Sequence, residues 1–186
     1  MHATETSEAN LLSAILDSWD RNNRILVNLL RALPPGGLDA RVMPASPSVT
    51  EMFTHIIYVR LVFVEEDAPE HAAPVPSREW ASETDPERIA NGLEISARVV
   101  RNAVEDHLGS GVPMQLHYDH PLLLLQHMIW HEGYHHGQIK LALKAASIPF
   151  DDEQIGPQTW GIWMDRSATP STDSEPGSRP STSALT

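Results

Sequence analysis

Proline falls only outside, or at the first position of, four long stretches in which apolar residues recur at three- and four-residue steps. That punctuation restricts the chain to long helices, because proline cannot sit inside one without breaking its hydrogen-bond ladder. In the first stretch, Ser7 to about Leu33, the stripe is Leu12, Ile15, Trp19, Leu26, Leu30 and Leu33, and PPGG ends it. Ser48 and Glu51 have the spacing of a capping box, which predicts a second helix running to about Glu66. The segment from Asp67 to Thr84 holds three prolines and little periodicity. Its length lets the chain cross the end of a bundle instead of turning straight back. Asp85 before Pro86 opens a third helix, with Ile89, Leu93, Ala97, Val100, Val104 and Leu108 as its stripe and Gly109 and Gly111 as its end. Pro121 opens a fourth, capped by Asp119 or His120, which persists to about Ala146 before Ile148 and Pro149. The pattern predicts an all-α fold, a four-helix bundle with a long crossover between helices 2 and 3.

A chain of 186 residues suits one domain with a real core, expected here over residues 1–165. The two tryptophans of IGPQTWGIWM are expected to cover a core end or a partner surface. Residues 166–186 are rich in Ser, Thr and Pro and are expected to form a disordered tail. The net charge is -12 and no segment gathers its basic residues, which argues against nucleic acid and anionic membranes as partners. No targeting segment or bilayer-length apolar run is evident, so the expected compartment is the cytoplasm. Cysteine is absent, which removes disulfides, thiolate metal ligands and a cysteine nucleophile. Any thiol chemistry must import its thiol.

The fourth stretch departs from an ordinary amphipathic pattern. Its core register steps through Leu124, Met128, His131, His135, Gln138, Ala142 and Ala145, so the middle of the seam is polar. A buried imidazole or amide without partners costs on the order of 1–3 kcal/mol, and three such groups on one face call for a compensating interaction. Residues four apart on a helix have Cβ atoms about 5–6 Å apart, so His131 and His135 can aim at a common point, half of a metal site. His55 interrupts an apolar face of the second helix beside Met52, Val59 and Val62 and is the candidate third ligand. Three imidazoles suit zinc or nickel, with copper, iron and manganese also open, and leave room for water or substrate. His127, one turn before His131, is a candidate neighbour of the site or alternative ligand, and His136 points about 100° away from His135.

The pentapeptide HEGYH also satisfies the zincin pattern, in which the Glu serves as general base. Its extension fails, because Gln138 and Leu141 stand where the glycine and third histidine belong, and Glu153 follows a proline break. The longer stretch WHEGYHHGQIKLALKAA resembles the H-x-x-x-H-x-x-Q-I signature of the DinB-like family, with His131, His135, Gln138 and Ile139 in those places. His55 in EMFTHIIYVR stands where that family has its second-helix metal ligand, whereas many relatives have Arg in the place of His136. The resemblance implies a metal-binding bundle, commonly homodimeric, related to transferases and isomerases that use low-molecular-weight thiols such as bacillithiol, mycothiol or glutathione. The function expected is that of a metal-dependent thiol S-transferase acting on a small electrophile. The alternatives are a hydrolase using metal-activated water and a non-catalytic, dimeric metal-binding module. Glu132 and Gln138 are the candidates for steering a proton or orienting a ligand, the alternatives being a solvated Glu132 paired with His136 and a Gln138 that only bridges helices by hydrogen bonds.

Overall fold

The computed structural model describes residues 2–165, and the side chains from Asn10 onward. The tail expected over 166–186 lies outside the described residues. Four long helices carry the fold: α1 (His2–Arg31), α2 (Val49–Asp67), α3 (Pro86–Ser110) and α4 (Pro121–Ala145), followed by the single turn α5 (Asp152–Ile155). Among the described residues there is no strand, only an isolated bridge between Arg41 and Ser48. Among the same residues no helix is long and apolar enough to cross a membrane.

The helix boundaries have local causes. Ser48 donates its backbone N–H to Glu51 Oε2 at 2.7 Å and accepts from the Glu51 N–H at 3.3 Å, completing the capping box of α2. Asp85 accepts from the Glu87 N–H at 2.9 Å, and Pro86 occupies the first turn of α3. That helix ends on Gly111, whose φ of 70° is a left-handed conformation suited to glycine. His120, not Asp119, caps α4, its Nδ1 accepting from the Leu122 N–H at 3.2 Å.

The buried apolar residues form two clusters. One joins Leu26, Leu29 and Leu30 of α1 to Met52, Phe53 and Ile56 of α2, Ile89 and Leu93 of α3, and Ile139 and Leu143 of α4. The other joins Leu16 and Trp19 to Val64, to Val100 and Val104, and to Leu124, Leu125 and Met128. The N-terminal parts of α2 and α3, through Leu61 and Leu93, thus share one cluster and their C-terminal parts, from Val64 and Ala97, the other. Polar side chains lie between: Asn22, Arg60, Ser96 and Glu132 are all buried.

The structure changes one expectation about packing. The buried face of α4 is Leu124, Leu125, Met128, Glu132, His135, Ile139, Ala142 and Leu143. His131 and Gln138 are therefore half-buried, on the shoulder of the seam, and Ala145 is exposed. The face turns toward Glu132 because α2 supplies a buried guanidinium for it, described below. From the end of α5 onward, Ile155, Thr159 and Ile162 face inward, whereas Trp160 and Trp163 are 54% and 44% exposed. Both rings line a cavity with Asn22, Ile25 and Leu26 of α1, so each is half-exposed, and hydrogen bonds from α1 to the segment's carbonyls hold it there. Arg21 Nη1 donates to the Ile162 and Asp165 carbonyls, and Asn28 Nδ2 donates to the Gln158 carbonyl.

Candidate metal centre

Helix periodicity alone brings His131 and His135 together on α4, one turn apart, with ring centroids 4.5 Å from each other. Packing of α2 on α4 brings in His55, whose ring centroid is 5.0 Å from that of His131 and 4.8 Å from that of His135. The convergence is through one nitrogen of each ring. His131 Nε2 lies 3.1 Å from His55 Nε2 and 3.1 Å from His135 Nε2. The metal-binding atoms of the three residues all fall within 4.8 Å of one another, and no other group of three His, Asp or Glu among the described residues does so.

These distances can be compared with what a cation requires. Zinc–nitrogen bonds of about 2.0–2.1 Å set the edge of a tetrahedron at about 3.3 Å, close to the two observed nitrogen pairs. The protonation state also fits. Burial pushes the His131 imidazole down to about 3, and the rings of His135, His55 and His127 and the Arg60 guanidinium act in the same direction. Burial, then His55, pushes His135 down to about 4, with Gln138 opposing. Burial lowers His55 as well, against the opposing charge of Glu79. All three rings are neutral near pH 7 and offer lone pairs, as metal ligands must. Pure imidazole sets favour borderline ions such as zinc and nickel over magnesium or calcium.

The layer beneath the cluster is an ion pair with almost no solvent contact. Arg60 is 0% and Glu132 1% exposed, and they meet in a two-pronged contact, Nε to Oε1 at 2.6 Å and Nη2 to Oε2 at 2.8 Å. Asn22 Nδ2 donates to the same Oε2 at 2.5 Å, and Arg60 Nη1 donates to Asn23 Oδ1, the Leu93 carbonyl and Ser96 Oγ. The guanidinium carbon also lies 4.8 Å from the centre of the Trp19 ring. Glu132 is thus not a solvated residue paired with His136. Its oxygens are engaged with α1 and α2, and one pair ties the helix of His55 to that of His131 and His135. The signal for it was an opposite charge on the core register of each helix, Arg60 four residues after Ile56 and Glu132 four after Met128.

The remaining candidates sit around this cluster. Gln138 is half-buried and donates to the Tyr134 hydroxyl at 2.8 Å, one turn beyond His135. His127 Nδ1 is 2.7 Å from the Tyr118 hydroxyl, with its ring centroid 6.4 Å from that of His131. His136 lines a separate cavity of about 210 Å³ with Asn22, Trp160 and Trp163, and burial pushes its imidazole down to about 4. Two residues of the segment between α2 and α3 reach the cluster with no prior signal in their sequence pattern. Trp80 stacks on His55, and Glu79 lies beside its Nδ1.

Helices without a sheet, with three imidazoles from two of them meeting at one point, define an all-α protein with a candidate divalent-metal centre. Residues 18–139 match the DinB superfamily, about two thirds of the chain and a span that includes all three histidines, and the chain belongs to that superfamily. Comparison with curated proteins and with solved structures gives no match.

Proposed function

We propose that His55, His131 and His135 hold a divalent metal, zinc or nickel, and that the protein is a metal-dependent S-transferase joining a low-molecular-weight thiol to a small electrophile. The observation that carries this reading is the meeting of three imidazoles through Nε2, with two nitrogen pairs at 3.1 Å. Three protein ligands leave coordination places for an exogenous group. A bound divalent ion would supply Lewis acidity, depressing the pKa of a thiol or water that it contacts.

The chain's own residues do the rest. The histidines present lone pairs without first having to shed protons. Arg60 and Glu132 keep α2 and α4 in register, so Glu132 acts by positioning the ligands. Gln138, half-buried one turn from His135, orients the incoming group through its amide. The absence of cysteine leaves no internal thiolate to compete. Family membership and the sharing of core clusters between equivalent parts of α2 and α3 support a four-helix bundle in which residues 68–85 cross over. A domain spanning 1–165, a homodimeric state and a cytoplasmic location with small-molecule partners belong to the same proposal.

The test is turnover. Metal-loaded and metal-stripped protein are compared with a panel of thiols, including glutathione, bacillithiol and mycothiol, and an aryl halide as electrophile. Metal-dependent thioether formation supports the reading. Ester or amide hydrolysis without a thiol requirement replaces it with a hydrolase, and stoichiometric metal with neither activity replaces it with a binding module.

A further inference from the structure

We propose that Glu79 is the carboxylate that determines which nitrogen of His55 faces the cluster, with Trp80 holding the plane of that ring. Its consequence for metal binding rests on the metal-site reading above. Glu79 Oε1 stands 2.9 Å from His55 Nδ1, while Nε2 of the same ring meets His131 Nε2 at 3.1 Å. An ionised carboxylate only accepts hydrogen bonds. The contact is favourable with the proton on Nδ1, and that tautomer leaves the lone pair on Nε2, where the three rings converge. Metal-binding histidines are commonly oriented in this way by an outer carboxylate.

The other two rings lack such a partner. The Nδ1 atoms of all three rings are buried without a hydrogen bond of good geometry, and what sets His55 apart is a carboxylate within reach, Glu79 Oε1 at 2.9 Å but off the N–H line. The Glu79 side chain is 45% exposed and has room to swing into line. Trp80 lies flat on the His55 ring, with centroids 3.9 Å apart and planes within 5°. The backbone carrying both residues is tied to α2 next to His55. Thr54 Oγ1 donates to the Ala81 carbonyl at 2.9 Å and accepts from the Ala81 N–H at 3.0 Å, and Thr50 Oγ1 donates to the Glu83 carbonyl. Glu79 touches the far edge of a ligand and not the convergence point, so it is a positioning residue and not a fourth ligand.

Two measurements on the full chain test this. Nitrogen-edited imidazole spectra of metal-free protein, with the His55 signal assigned by its loss in His55→Ala, should show the Nδ1–H form in wild type. Glu79→Ala should convert it to a mixture, and Glu79→Gln, whose amide oxygen still accepts, should largely preserve it. Zinc affinity by chelator competition should fall about 10–100-fold in Glu79→Ala, with no change in Glu65→Ala, a charge-matched control on the exposed side of α2. An unchanged tautomer, or zinc affinity within twofold of wild type while His131→Ala loses binding, would overturn the assignment and leave the metal site intact. A Glu79-dependent tautomer in a protein that takes up no zinc would uphold the orienting contact and remove the metal reading instead.

Discussion

Replacing Glu132 with Ala should be among the most destabilising single changes available in this protein. Arg60 has no solvent contact, and Glu132 supplies both of its charge-assisted contacts, at 2.6 and 2.8 Å. Without the carboxylate the guanidinium keeps only neutral acceptors: Asn23 Oδ1, the Leu93 carbonyl and Ser96 Oγ. Removing one partner of a buried ion pair costs about 3–5 kcal/mol, because the other charge stays behind uncompensated. For a domain of this size each kcal/mol shifts Tm by about 2–4 °C, which gives a fall of about 6–20 °C. The assay is thermal and urea unfolding of metal-free protein, with Arg60→Met/Glu132→Leu as the companion. That double variant removes both charges and should recover most of the loss, since apolar replacement of a buried pair is often neutral or stabilising. A Glu132→Ala protein melting within about 2 °C of wild type would refute the clamp, as would a double variant less stable than the single one.

Three further outcomes follow from the structure. Free imidazoles with pKa near 6.5 would make a three-histidine site lose affinity on the order of 50-fold between pH 7.5 and 6. With His131 and His135 pushed down to about 3 and about 4 and His55 also lowered, titration calorimetry should find a change of no more than about threefold. The same shifts make the unfolded chain bind more protons than the folded one below about pH 6.5, so metal-free stability should level off above that pH and fall through the acid range, read from urea midpoints. Asp67 accepts from the Leu116 and His117 N–H groups at 2.9 and 2.7 Å and lies 2.8 Å from His117 Nδ1. Burial alone would raise its carboxyl, but these contacts hold it below the ordinary value. Asp67→Ala should therefore cost about 1–3 kcal/mol in urea unfolding, and a loss under about 0.5 kcal/mol would show that the contacts contribute nothing net.

The parts of the fold that were legible in the sequence are those decided locally. Ser48 with Glu51, Asp85 with Pro86, and Gly111 carry their own boundary chemistry, and the stripe from Ile89 to Val104 is buried where its periodicity puts it. His131 and His135 were legible as a pair because one turn of helix brings them together whatever surrounds it. The rotation of α4 was not legible, since it depends on Arg60 of another helix making burial of Glu132 tolerable. Trp160 and Trp163 illustrate the same limit, since their half-exposed placement beside Ile25 and Leu26 depends on where α1 hydrogen-bonds the segment's carbonyls. Glu79 and Trp80 lie in an aperiodic segment, where only the path of the chain over α2 reveals a neighbour.

The central claim is a three-histidine metal centre, and direct metal quantification tests it most plainly. Purified, dialysed wild type and the variants His55→Ala, His131→Ala and His135→Ala are incubated with zinc and separately with nickel, desalted, and assayed for bound metal per chain by elemental mass spectrometry. One ion per chain in wild type, with losses of tenfold or more in every variant and no loss of helical content by circular dichroism, is the predicted result. Wild type that emerges without metal, or any of the three variants retaining its full ion, would contradict the account.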